Sequence, residues 1–176
     1  MKTRFFSVVV SLVVVMAAFF VPKNGYSQRS SSFNNDIGLD FVDQFIQNVI
    51  TIQYEFKSTS TSSFAVRGHF VTNVGGTTGF GAGATWRFYV ADSRALAGWN
   101  VGPAADIYSF KNNDLGKTNI LIGIGADAAY KWFFGNFTVE PFVGARIGFT
   151  GSDVIAGVNN FSGFHPLAGI YLGWSW

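Results

Sequence analysis

The chain has 176 residues, 20 phenylalanines, 21 glycines and no cysteine, and only 12% of it is charged, about half the usual share. The missing cysteines exclude a disulfide framework, a thiolate metal site and a thiol-linked lipid anchor. The formal net charge of +2 carries no nucleic-acid signal, because Lys2, Arg4 and Lys23 belong to a leader whose removal takes it to −1.

That leader is the first element. A basic start, "MKTR", precedes the apolar run "FFSVVVSLVVVMAAFFV", the pattern of a secretory signal peptide. Gly25 and Ser27 supply the small residues a signal peptidase needs before Gln28, so residues 1–27 read as a cleaved signal peptide. The alternative is an uncleaved anchor helix, since Phe5 to Val21 is about the shortest run that crosses a bilayer. Residues 28–35 read as a short linker and residues 36–176 as one domain. After residue 27 no stretch is long or apolar enough for a membrane helix, but a closed barrel crosses lipid without one.

The domain alternates apolar and polar residues with the period of strands. "DIGLDF" places Ile37, Leu39 and Phe41 opposite Asp36, Gly38 and Asp40. A rival reading makes Phe41, Val42, Phe45, Ile46 and Val49 one face of a helix. "VITIQYEFK" sets Ile50, Ile52, Tyr54 and Phe56 against Thr51, Gln53, Glu55 and Lys57. "SFAVRGHFV" sets Phe64, Val66 and Phe70 against Arg67 and His69, with Gly68 falling on the apolar face without obvious reason. "FGAGATWRFYV" sets Phe80, Trp86, Phe88 and Val90 against Gly81, Gly83, Arg87 and Tyr89. "LAGWNVGPAADIY" sets Trp99, Val101, Pro103 and Ile107 against Asn100, Gly102, Asp106 and Tyr108. "NILIGIGADAAYKW" sets Ile120, Ile122, Ile124, Tyr130 and Trp132 against Gly123, Gly125, Asp127 and Lys131. "FTVEPFVGARIGF" sets Phe137, Val139, Val143, Ile147 and Phe149 against Glu140, Phe142, Gly144 and Arg146. The last, "AGIYLGWSW", sets Ile170, Leu172, Trp174 and Trp176 against Tyr171, glycines and Ser175. Eight segments predict an all-β fold, a closed eight-stranded antiparallel up-and-down transmembrane barrel.

Alternation alone leaves open a soluble, lipocalin-like barrel with an apolar interior. The polar face is too poor in charge for a soluble surface, which typically carries about 25% or more charged residues. As lumen lining it fits, because glycines leave room for larger inward side chains. Short turns are expected near 58 to 62, 91 to 95 and 133 to 136, and longer loops at 42 to 48, 72 to 78, 109 to 118 and 150 to 163. Every tryptophan lies toward the short-turn end, where amphipathic rings suit a membrane interface. Pro103, Pro141 and Pro166 fall within strands and count against closure.

These features, above all "FTVEPFVGARIGF", "LIGIGADAAYKW" and the aromatic final strand, resemble the small eight-stranded outer-membrane barrels of Gram-negative bacteria, of the OmpA-domain and OmpX type. The resemblance extends to the outer membrane protein beta-barrel domain proteins of Bacteroidetes and covers residues 36 to 176. It implies a cell outer-membrane location with both termini in the periplasm and outer-membrane lipid as partner. It also implies a final strand read by the barrel-insertion machinery, for which Ile170, Leu172, Trp174 and Trp176 occupy the matching positions.

For chemistry, the inward charges Glu55, Lys57, Arg67, Arg87, Asp106, Asp127, Lys131, Glu140 and Arg146 are expected to form an ion-pair network that plugs the lumen. The expected role is structural or surface interaction through the outer loops. A narrow, porin-like small-solute channel is the alternative, resting on the inward glycines. A lipid A-modifying enzyme is less expected, because neither His69 nor His165 shows the His-x-Ser arrangement of barrel deacylases. No catalytic residue, cofactor, metal or nucleic-acid partner is expected, and "GFGAGA" precedes no helix that would make it a phosphate cradle.

Overall fold

The computed structural model describes residues 33–40, 42, 48–74, 76–90, 93–112, 116–150 and 162–176. They form eight strands: β1 (Asn35–Asp40), β2 (Val49–Lys57), β3 (Ser62–Val74), β4 (Thr77–Tyr89), β5 (Gly98–Asn112), β6 (Thr118–Phe134), β7 (Phe137–Thr150) and β8 (Gly163–Ser175). Each pairs antiparallel with its neighbours in sequence, and β8 pairs with β1, closing an up-and-down barrel. Ile37 shows how the first strand is held, facing Tyr54 on β2 and Trp174 on β8. The rival helix over 41–49 falls largely outside the described residues, and its last member, Val49, opens β2.

Alternation becomes two walls of opposite character. Ile52, Val66, Phe80, Trp86, Ile107, Ile122, Ile124, Ile147 and Phe164 point outward and are exposed. Gln53, Glu55, Arg67, Arg87, Asp106, Asp127, Lys131, Glu140 and Arg146 point inward and are buried. A soluble barrel with an apolar interior has these faces the other way round. Gly68 faces out into open space, where an added Cβ would meet nothing within 4 Å, so packing does not explain it.

Connection lengths differ from the sequence reading. β3 continues to Val74 and β4 starts at Thr77, reducing the expected loop at 72 to 78 to residues 75–76; β5 and β6 likewise leave only 113–117 between them. On the other end, the expected short turn at 91 to 95 is the longer connection 90–97. It is built rather than slack: Leu96 is fully buried at φ 71°, Arg94 bridges Ala97, and the Ala95 N–H donates to Ser60 O at 2.9 Å. Turn-forming residues therefore marked where strands could end, while cross-strand pairing decided where they did.

The three prolines are accommodated by the ladders. Between β4 and β5 the pairs stop at Thr85↔Ala104 and resume at Phe88↔Val101, skipping Pro103, which still pairs with Ala126 on β6. Between β6 and β7 they stop at Ala129↔Phe142 and resume at Trp132↔Val139, skipping Pro141, which still pairs with Ile170. In an antiparallel ladder each residue bonds toward one side only, so each ring sits where its missing donor is not called upon. Pro166 lies beyond the end of β1, which stops at Asp40↔Tyr171. Beside the first interruption the backbones approach so closely that a Cβ on Gly102 would run into the Trp86 carbonyl.

Candidate functional site

The inward side chains divide into two ionic layers. Nearer the end that carries residues 33 and 176, Lys131 on β6 donates to Asp36 Oδ1 at 3.0 Å and Glu55 Oε2 at 2.5 Å, and pairs with Glu140 Oε2 at 2.9 Å. Arg87 on β4 reaches the same two glutamates, 2.6 Å from Glu55 Oε2 and 2.7 Å from Glu140 Oε1. Glu55 also accepts the hydroxyls of Ser63 and, at 2.7 Å, Tyr89. Asp36 Oδ2 takes Thr138 Oγ1 at 2.9 Å and Ser175 Oγ at 2.6 Å. One lysine thus ties β1, β2 and β7 together across the barrel.

The second layer lies toward the other end and is more regular. Arg67 on β3 donates to Asp106 at 3.0 Å and Asp127 at 2.9 Å. Arg146 on β7 grips the same pair, with Nε 2.6 Å from Asp106 Oδ2 and Nη1 2.7 Å from Asp127 Oδ1. Two guanidiniums and two carboxylates close a four-membered ring, the forked geometry in which arginine binds carboxylates best. Glycines make the space: a Cβ on Gly83 would strike the Asp106 carboxylate, and one on Gly144 the Asp127 carboxylate. At these two positions the space a side chain would take is occupied by the facing carboxylate.

Above this ring the lining becomes apolar. Val49, Val71, Tyr108, Phe110 and Leu121 form one buried cluster, with Tyr108 stacked on Phe110 at 5.6 Å. Among the described residues the inner lining thus runs from one ionic layer to the other and then to hydrocarbon. Lys131 and Glu55 have 0% of their surface accessible and Arg87 2%, so the first layer is wholly buried.

His69 has a partner the sequence did not reveal. Thr51 Oγ1 lies 3.0 Å from its Nδ1, and its Nε2 lies 3.2 Å from Asp106 Oδ1. A hydroxyl, an imidazole and a carboxylate in a row resemble a nucleophilic relay, but Asp106 is already committed to two arginines and all three residues are buried. A nucleophile must be approachable, so the row reads as structural hydrogen bonding. Among the described residues no group of His, Asp and Glu is placed to hold a metal ion.

Of the residues singled out from sequence, Glu55, Arg87, Lys131 and Glu140 meet in the first layer and Arg67, Asp106, Asp127 and Arg146 in the second. Lys57 is only half-buried at the end of β2. Asp36 and Gln53 went unassigned. Asp36 had no place because the first strand was unsettled, and its alternation with Ile37 was the signal available. Gln53 shares the charged face of β2 and accepts Arg87 Nη2 at 2.8 Å.

On the outer wall tryptophan and tyrosine gather at one end, where Phe56, Phe88, Phe134 and Phe137 are exposed beside them. Trp86, Trp99, Trp132, Trp174 and Trp176 lie with Tyr54 and Tyr130 toward the end that holds the first layer; Trp99 packs edge-on to Tyr130 at 5.1 Å, and Tyr54 lies 6.3 Å from Trp176. Toward the opposite end the exposed rings are phenylalanines, Phe70, Phe80, Phe149 and Phe164. In β8, Leu172 and Trp174 are exposed and Ile170 half-buried on this wall, while the Trp176 carbonyl accepts the Asn34 N–H at 3.0 Å. No family model, curated protein or solved structure matches the chain.

Proposed function

We propose that the protein is a small outer-membrane β-barrel with a plugged lumen, serving a structural or surface-interaction role. The observation that carries this is the inversion of the two walls: isoleucine, valine and aromatic rings cover the outside of a closed sheet whose inside holds ten charged side chains, Asp36, Asp40, Glu55, Arg67, Arg87, Asp106, Asp127, Lys131, Glu140 and Arg146. Water does not favour so continuous an apolar exterior, whereas hydrocarbon does, and a closed barrel leaves no backbone edge to satisfy. Gathering of tryptophan and tyrosine at one end suits one membrane interface, with phenylalanine the exposed ring at the other. In this reading residues 1–27 are a cleaved signal, both ends of the barrel domain are periplasmic, and lipid is the permanent partner.

The ionic layers serve as an internal staple rather than a reaction centre or path. A solute would have to separate carboxylates from cations that have exchanged water for one another, at a cost of several kcal/mol per ion. The test is fractionation combined with electrophoresis of boiled and unboiled samples. A membrane-retained protein that migrates as a compact band until boiled is expected; a protein that washes off and runs identically in both samples defeats the reading. Reconstituted barrels are expected to show neither conductance nor liposome swelling, and lipid A is expected to keep its mass on overexpression.

The final strand is proposed to carry the assembly signal through Ile170, Leu172, Trp174 and Trp176. Removing Trp176 is expected to reduce the amount of inserted barrel several-fold while leaving the unfolding midpoint of inserted protein little changed. Insertion at the normal level would argue against that role.

A further inference from the structure

The middle of the outer wall is hollowed on one side. Ala84 on β4 and Ala105 on β5 are register partners, Ala105 faces Ile124 on β6, and Ile124 faces Ile147 on β7. With Pro103 and Trp86 they line an open apolar cavity of about 590 Å³, a volume within the range of small-molecule sites. Gly68 and its partner Ala82 continue the low ground onto β3, where a Cβ on Gly68 would meet nothing within 4 Å. Two cations stand over the same strands. Lys111, exposed near the end of β5, has Thr78 and Thr118 as register partners; Lys117 is exposed one rung beyond, its carbonyl accepting the Asn112 N–H at 2.9 Å. Among the described residues neither lysine enters an ion pair. Ala105 stands six residues from Lys111 and six from Trp99 along β5. At about 3.3 Å per residue and a strand tilt of about 40°, each interval is about 15 Å of depth, half of a hydrocarbon core about 30 Å thick. With the hollow at the midplane, Lys111 and Trp99 therefore fall at opposite interfaces.

We infer that this face is a binding site for one membrane lipid with an anionic phosphate headgroup, the phosphate held by Lys111 and Lys117 and an acyl chain ending in the hollow. The inference rests on the outer-membrane reading and names a particular lipid site on that wall. Charge selects the headgroup: two ammonium groups without carboxylate partners, with the Thr78 and Thr118 hydroxyls beside Lys111, suit a phosphate. A zwitterionic headgroup would bring its own cation to the same place. Depth selects the chain, because an acyl chain spans one leaflet, about 15 Å, the interval from Lys111 down to Ala105. Once there, it restores the dispersion contacts that Ala84, Pro103 and Ala105 leave unmade. A second copy of the barrel fits the hollow less well, since its wall is equally convex. Two barrels in one membrane would also set like-charged lysine hairpins at the same level.

The experiment is native mass spectrometry of the folded barrel in detergent, titrated with dioleoylphosphatidylglycerol or with dioleoylphosphatidylcholine, which has the same chains. One bound phosphatidylglycerol is expected at a lipid concentration at least about fivefold below that needed for phosphatidylcholine. Lys111→Gln is expected to weaken phosphatidylglycerol about fivefold, and Lys111→Gln combined with Lys117→Gln to abolish the preference. Equal retention of the two lipids by the wild type, or a preference that survives the double change, overturns the headgroup site. Ala105→Phe fills the hollow and is expected to weaken phosphatidylglycerol several-fold; unchanged retention overturns the acyl groove. Should that variant fail to fold, dihexanoylphosphatidylglycerol on the wild-type barrel decides, because its chains are too short to reach the hollow, and retention equal to that of the dioleoyl lipid overturns the groove. A barrel dimer in place of bound lipid overturns the lipid as occupant. Protein that washes off membranes defeats the membrane reading, whereas a membrane-held barrel without lipid preference defeats this inference alone.

Discussion

The two ionic layers hold the same kinds of groups and solve different problems. The second layer, farther from the chain ends, sets two arginines against two aspartates, each carboxylate held by both guanidiniums. The layer nearer the chain ends sets three carboxylates, Asp36, Glu55 and Glu140, against Arg87 and Lys131. Its surplus acid is balanced by neutral donors: the hydroxyls of Ser63 and Tyr89 on Glu55 and those of Thr138 and Ser175 on Asp36. The matched ring takes one hydroxyl, that of Thr85 on Asp127 at 3.3 Å, and has His69 Nε2 beside Asp106, while the uneven cluster takes four hydroxyls to balance its extra carboxylate.

Lys131 is where that contrast should break most severely. Lys131→Met leaves Glu55 and Glu140 to share Arg87 and Asp36 with only the Thr138 and Ser175 hydroxyls, so a loss of about 3–5 kcal/mol is expected, read as a drop in the urea unfolding midpoint of the folded barrel. A loss below that of any single change in the Arg67–Asp106–Arg146–Asp127 ring would reverse the ranking of the layers.

The outer wall offers the next largest effect and tests its solvent. Ile124 is exposed near the middle of β6, and Ile124→Arg is expected to cost about 2–4 kcal/mol when folding is measured into a bilayer. A change indistinguishable from zero would mean that this wall meets water.

Within the uneven layer, Glu55 and Glu140 should not be equivalent. Glu55 accepts four partners, Ser63, Tyr89, Arg87 and Lys131, whereas both Glu140 oxygens have ionic neighbours without a well-directed hydrogen bond. Glu55→Gln is expected to lose about 1.5–3 kcal/mol, and Glu140→Gln, which also removes the surplus charge, about 1 kcal/mol or less. Equal losses in denaturant titration would show that charge excess is not what distinguishes the layer.

The smallest effect is expected at the rim. Phe164 is 73% exposed at the start of β8, and Phe164→Arg should cost about 0–1 kcal/mol if that end reaches the interface. A penalty matching that of Ile124→Arg would place this end within the hydrocarbon.

Much of the barrel was legible because a strand has a period of two. Once Glu55 and Arg87 alternate with Ile52 and Trp86, their faces follow from the pleat, wherever the chain folds. The ends of strands were not legible in the same way: "NVGGTT" carries turn signals over six residues, yet pairing breaks register after Val71↔Gly79 and resumes at Val74↔Thr77, because a bulge lets the ladder continue past residues that locally favour a turn. The connection 90–97 misled in the other direction, since nothing in "VADSRALA" announces that Leu96 will be fully buried.

The sequence by itself determined that eight alternating segments would have one apolar and one charged face, since side-chain direction in a strand is local. Only the tertiary structure decided which charges meet. Lys131 and Asp36 are 95 residues apart and Ser175 and Asp36 are 139 apart, and such distances carry no periodicity. Closure brings β8 against β1 and places Asp36 within reach of β6, β7 and β8, so the assignment of partners belongs to the shear and circumference of the closed sheet.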